Sequence, residues 1–125
     1  MNIMSTDNLL EEVDMIIKDV QFAINSISLS KVLPQSSRVV FINIETKENE
    51  VFTVRLTLQG FVVVSHSLDK DDGRSEKYPT TYETVYALLE NISSSYVSLF
   101  GQALQGKLAA LKQLENINDK DDGVK

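Results

Sequence analysis

The chain has no cysteine and no tryptophan, one histidine and two prolines in 125 residues. Without cysteine there are no disulfides, no thiolate metal sites and no cysteine nucleophile. A lone histidine, His66, excludes a multi-histidine metal centre and leaves one imidazole for acid–base chemistry. Basic residues are also few: 12 Lys and Arg against 18 Asp and Glu give a formal net charge of −6. A phosphate-backbone binder needs a basic face, so nucleic acid is not an expected partner. The five glycines, Gly60, Gly73, Gly101, Gly106 and Gly123, are scattered and form no phosphate-cradling loop. Apolar runs such as Phe61-Val62-Val63-Val64 fall far short of the roughly 20 residues that a membrane span requires. Met1 to Asp7 carries no basic residue and no apolar core, so it reads as a flexible N-terminus rather than a signal peptide. Together these absences predict a reducing, cytoplasmic or also nuclear setting, with no membrane.

What is present suffices for one domain with a real core, since 42% of the residues are hydrophobic and 24% charged. Leu9, Val13, Ile16, Ile17, Val20, Ala23, Ile24 and Ile27 recur at helical steps and predict a helix over about 8–28. Asp7 or Asn8 can cap it, with Glu11 three residues after Asn8. Met15, Phe22 and Leu29 form a second line on another side of that helix. Pro34, Ser36 and Ser37 mark a loop. Strand patterns follow: Val40, Ile42 and Ile44 share one face, as do Phe52, Val54, Leu56 and Leu58, and Gly60 permits a reversal into Phe61–Ser67. The short links between them predict an antiparallel meander. By alternation His66 shares a face with Val62 and Val64. Thr80-Thr81-Tyr82-Glu83 reads as a capping box for a helix carrying Val85, Leu88 and Leu89 inward. Ser93 or Ser94 ends that helix and caps the last one, expected over about 95–115. The fold class is therefore α+β: an N-terminal helix, a meander of three or more strands, and two C-terminal helices packed on one face. Residues 8–116 form the single domain, 93–115 its partner-binding helix and 117–125 a polar tail.

Candidate chemistry is sparse. Asp69, Asp71, Asp72 and Gly73 faintly match a calcium loop, but Gly73 falls fifth and Thr80 twelfth, where the loop needs glycine sixth and glutamate twelfth. The segment reads as a solvated acidic loop, and its echo at Asp119–Gly123 as shared composition. No serine stands on a sharp turn near His66. No catalytic residue, metal or cofactor is assigned, and the chain is not read as an enzyme.

The last helix carries more information. Phe100, Leu104, Leu108 and Leu111 are spaced four, four and three residues apart and align along one edge, as in a helix laid into a partner's groove. The same row also suits packing on the domain's own sheet. Gly101 and Gly106 lie within it, each costing about 1 kcal/mol relative to alanine, so the helix is marginal unless something packs against it.

Four blocks carry a family resemblance: Lys18-Asp19-Val20-Gln21-Phe22-Ala23-Ile24-Asn25, Ile42-Asn43-Ile44-Glu45-Thr46-Lys47-Glu48, Glu83-Thr84-Val85-Tyr86-Ala87-Leu88-Leu89, and Phe100-Gly101-Gln102-Ala103-Leu104 with Leu108-Ala109-Ala110-Leu111-Lys112. In order and spacing they resemble the glycogen synthase kinase-3 beta interaction protein family. A related domain occurs in clustered-mitochondria proteins, which keeps a structural interaction domain open as the alternative. The resemblance implies a cytoplasmic adaptor in Wnt signalling that binds glycogen synthase kinase-3 through its last helix and restrains it. It assigns Phe100, Leu104, Leu108 and Leu111 to the apolar row, Leu108 as central anchor, and Gln102, Lys107 and Lys112 to polar flanks. Gln105 and Gly106 stand where the family has stronger helix formers. Some members also anchor cAMP-dependent protein kinase, and Ile16, Ile17, Val20, Ala23 and Ile24 match the segment that binds its regulatory subunit. Gln21 stands where anchoring members carry leucine.

Overall fold

The computed structural model describes the backbone of residues 8–124 and the side chains of residues 8–109. The proposed N-terminal flexible segment, the side chains of Leu111 and Lys112, and those of the 117–125 tail lie outside the described residues. The order is α1 (Leu9–Val20), a single 3-10 turn (Gln21–Ala23), β1 (Ser26–Leu29), β2 (Val40–Glu45), β3 (Val51–Thr57), β4 (Gly60–Ser65), α2 (Val85–Ile92) and α3 (Ser94–Val124). The four strands form one antiparallel meander in sequence order.

α1 begins where Asn8 accepts the Leu10 N–H on its side-chain oxygen at 3.1 Å. Glu11 and Glu12 lie in its first turn and Lys18 in its last, each favourable to the helix dipole. The helix ends at Val20, eight residues before the end that the hydrophobic periodicity suggests. Ile24 is already extended, and Ser26–Leu29 is a strand paired with β2, Ile27 opposite Ile44 and Leu29 opposite Ile42. Ile27 and Leu29 fit an alternating pattern as well as a helical one, and the ladder along the free edge of β2 decides between them.

The β1–β2 connection is closed by Gln35, which mimics a strand residue. Its Nε2 donates to the carbonyls of Ser30 and Phe41, and its Oε1 accepts the Phe41 N–H, all at 2.8 Å. On one face of the sheet Val40, Ile42, Ile44, Phe52, Val54, Leu56, Phe61 and Val63 are buried beneath the helices. On the other, Phe41, Val62 and Val64 are buried with Leu33 and Val39 packed against them. The acidic loop is tied down on that side: Asp69 accepts hydrogen bonds from the Ser30 hydroxyl and the Asn43 amide, both at 2.7 Å, and Asp72 accepts from Ser65 at 2.8 Å. The Asn43 and Ser30 bonds hold the Asp69 carboxyl below its ordinary range.

The second helix starts at Val85, not Thr80, with Thr84 as its cap; the Thr84 hydroxyl accepts the Ala87 N–H at 3.1 Å. Residues 80–83 are used otherwise. Tyr82 pairs with Phe61 through reciprocal 2.8 Å backbone bonds, and Ser75 and Asp72 donate to the carbonyls of Val63 and Val64. The exposed edge of β4 is thereby covered. Gly60 makes this approach possible. Its φ is +132°, and a Cβ there would lie inside contact distance of the Tyr82 carbonyl oxygen, a backbone atom. Gly60→Ala combines left-handed strain with that clash and is expected to cost about 3 kcal/mol. Thermal unfolding should show it as a fall in Tm on the order of 10 °C; an unchanged Tm would contradict this account of the edge.

Candidate functional site

The last helix is divided between two environments. Its start is fixed from two directions. Ser93 ends α2 by donating its N–H to Leu89 and caps α3 by accepting the Tyr96 N–H at 3.0 Å, the capping role expected of Ser93 or Ser94. Glu48, in the β2–β3 turn, brings a carboxylate to the same place. One oxygen accepts from the Ser93 hydroxyl at 2.8 Å; the other accepts from the Ser94 hydroxyl at 3.2 Å and the Ser95 N–H at 2.8 Å. The turn that aims it has Asn49 at φ +65°, a conformation asparagine tolerates better than most residues. Partial burial pushes the Glu48 carboxyl up, and the donors of Ser95 and Ser93 outweigh it, bringing the pKa down to about 2.

Beyond the cap, Tyr96 is fully buried in the core. Its ring stacks on Phe100 at 5.4 Å, and Phe100 lies 5.8 Å from Tyr86. Among the described residues the Tyr96 hydroxyl has no hydrogen-bond partner. Burial first, then the nearby Tyr86, Glu90 and Asp19, push its pKa up to about 12. Tyr86 donates its hydroxyl to Asp19 of α1 at 2.9 Å, and that bond, with burial and the Asp19 charge, raises the phenol pKa.

From Gly101 onward the environment changes. Leu104 is 48% exposed and Leu108 55% exposed. Gln102 and Lys107 are exposed too, and the backbone continues helical to Val124, past the end expected near Glu115. The apolar row is therefore shared. Phe100 packs against the domain, Leu104 and Leu108 face outward, and Leu111 lies outside the described side chains. Among the described residues nothing but the helix's own backbone and chain neighbours comes within 4 Å of a would-be Cβ at Gly101 or Gly106, so close packing does not explain them.

The five residues matched to kinase anchoring are placed differently. Val20, Ala23 and Ile24 are buried in the core, and Ile16 and Ile17 are half-buried against it. Ala23 and Ile24 also fall beyond α1, in and after the 3-10 turn. A helix docking on these side chains would have to displace the domain's own packing. Gln21 is exposed, and so is Phe22, at 48%.

His66 lies just past β4 and turns toward Phe52 on the helix-bearing face rather than joining Val62 and Val64. Its ring sits 5.3 Å from Phe52 and 6.1 Å from Tyr78, with Nε2 2.8 Å from the Ser75 hydroxyl oxygen, which also accepts the Tyr78 N–H. This group anchors the loop. Among the described residues no three acidic or histidine side chains are arranged to hold a metal ion, and no helix is long and apolar enough to cross a membrane.

Two features carry no local sequence signal. The Glu48 clamp joins residues 45 and more positions apart. The Tyr86–Asp19 bond spans 67 positions. Phe22 is visible only as an apolar residue off the buried stripe of its helix.

The fold and the site together define a small α+β domain whose last helix is docked at its start and carries exposed apolar residues beyond it. The GSKIP domain family matches residues 9–111. The GSK3-beta interaction protein of Gallus gallus and the GSK3B-interacting protein of Homo sapiens are each 40% identical to the chain over 103 residues, 82% of this chain and 72% of theirs. The Protein GSKIP homolog of Drosophila melanogaster is 28% identical over 92 residues, 74% of this chain and 77% of its own. The chain belongs to the GSKIP domain family.

The Glu48 clamp has a pH signature. Its folded pKa is about 2 against an ordinary 4.5. A depressed carboxyl stabilises fully above the unfolded value and loses that contribution as pH falls through the folded one. The side chain is largely exposed, so screening limits the effect to about 1 kcal/mol, the scale of a helix cap. Wild type is expected to exceed Glu48→Gln in denaturation midpoint near neutral pH, with the difference fading between about 4.5 and 2. A difference independent of pH would contradict the clamp.

Proposed function

We propose that this chain is a non-catalytic adaptor that binds glycogen synthase kinase-3 through the exposed part of α3 and restrains it by occupying a groove used by other partners. The observation that carries this reading is the outward placement of Leu104 and Leu108, 48% and 55% exposed, on a helix whose first turns are firmly docked. Two exposed leucines one turn apart expose apolar surface to water at a cost that a partner's groove would recover. The names of the relatives, GSK3-beta interaction protein and GSK3B-interacting protein, agree with that partner. A structural domain of the clustered-mitochondria type would need the row packed on its own sheet, and the exposure of Leu108 speaks against it. Anchoring of cAMP-dependent protein kinase gains no support, since Val20, Ala23 and Ile24 are buried in the core and Ile16 and Ile17 are half-buried against it. A cytoplasmic or nuclear setting and a place in Wnt signalling belong to this proposal.

Leu108→Ala is expected to cost about 2 kcal/mol of binding, roughly 30-fold in affinity for the purified kinase. Because Leu108 does not pack on the domain, Tm should not change. Undiminished capture would remove the helix assignment; a large fall in Tm would return Leu108 to the core. Gly106→Ala removes about 1 kcal/mol of helix-ordering cost at a site with no neighbour to clash, so titration should show binding several-fold tighter. Weaker binding would show that the glycine itself is needed at the interface.

A further inference from the structure

Phe22 is one of the large apolar side chains that the domain leaves exposed. It lies, 48% exposed, on the 3-10 turn that follows α1. That turn lets Ala23 go inward while Phe22 stays out. Phe22 borders an open groove of about 210 Å³ whose opposite wall is α3, through Phe100, Leu104 and Lys107. Asp19 and Tyr86, joined by their 2.9 Å hydrogen bond, also line it. Leu104 is thus a member of two surfaces. It continues toward Leu108 along the exposed row, and it faces Phe22 across the groove.

We propose that Phe22 and this groove are part of the surface that binds the kinase, so that the partner grips the exposed row of α3 and seats an apolar side chain of its own between Leu104 and Phe22. The inference rests on the kinase-binding reading above and assigns it a determinant outside α3. The occupant follows from continuity and sterics. Any groove that encloses Leu104 on its apolar side must abut Phe22, because both line the same cleft. The lining is mostly aromatic and aliphatic, with Asp19 and Lys107 adding one acidic and one basic side chain. This composition suits an apolar side chain flanked by polar groups, not an anion or a metal. Two elements distant in sequence then present one surface, and α3 meets its partner in an orientation set by the domain.

The test is calorimetric titration of the purified kinase with the full chain in four forms: wild type, Leu108→Ala, Phe22→Ala and Met15→Ala. Met15 is the control, 68% exposed on α1 and not bordering the groove. Phe22→Ala is expected to weaken binding roughly 10-fold, with Met15→Ala equal to wild type. Tm of each variant should stay at the wild-type value, since neither side chain is buried, and Phe22→Leu should recover most of the affinity. Equal affinity of Phe22→Ala and wild type, with Leu108→Ala weakened, would overturn the groove while leaving the helix reading standing. Equal weakening by Met15→Ala would overturn it as well. No binding by wild type would overturn both readings. If Phe22→Ala kept its kinase affinity but lost capture of the regulatory subunit of cAMP-dependent protein kinase, the groove would belong to that other partner and the proposal would fall.

Discussion

The grip on the first two turns of α3 is the constraint on which the rest depends. Glu48 satisfies the helix's first donors from a turn in the sheet, Ser93 caps it, and Tyr96 is buried without exposure in the core. A carboxylate at a helix N-terminus gains from both hydrogen bonds and the dipole. The grip carries its own cost, since burying the Tyr96 hydroxyl without a partner among the described residues forfeits about 1–3 kcal/mol. Ring stacking on Phe100 and the apolar area of Tyr96 offset it. With its start so fixed, the helix can run on past Gly101 without packing and still point in a defined direction. That is how a domain of this size presents a helix rather than a loose peptide, and preorganisation of this kind lowers the entropy a partner must overcome.

Much of the sheet could be read from alternation, because Val40, Ile42 and Ile44 and then Phe52, Val54 and Leu56 each bury one face and nothing local competes. The helical pattern outruns the first helix for a definite reason. Val20, Ala23, Ile24 and Ile27 satisfy a helical repeat, while Ile27 and Leu29 also satisfy an alternating one, and the pairing with Ile44 and Ile42 that decides between them is non-local. Thr80 and Thr84 present the same kind of ambiguity. Both are plausible caps, and Thr80 loses because the next residues pair with Phe61 and cover the edge of β4. In the site, periodicity placed Phe100, Leu104 and Leu108 on one line but could not say what covers it. The structure divides the line, with Phe100 turned to the domain and the two leucines to solvent. Glu48 and Phe22 were out of reach, since their meaning lies in contacts across the fold.

The composition then takes on a consistent sense. A chain without cysteine, with one histidine that props a loop and with acidic side chains spent on pinning turns, has its distinctive surface in leucine and phenylalanine. Both faces of the sheet are covered, one by helices and the other by loops. Of the large apolar side chains left outward among the described residues, Val97, Leu104 and Leu108 lie on α3 and Phe22 across a groove from it, while Met15, Val32, Leu58 and Leu68 are scattered over other elements.

The central claim is the division of α3 into a held segment and a presented one. Hydrogen exchange of the full chain, free and with the purified kinase, tests it most directly. Amides of residues 96–100 should be protected in both states, while those of 101–109 should exchange readily in the free protein and become protected when the kinase is added. Equal protection across 96–109 in the free protein, or no gain in 101–109 on binding, would contradict the account.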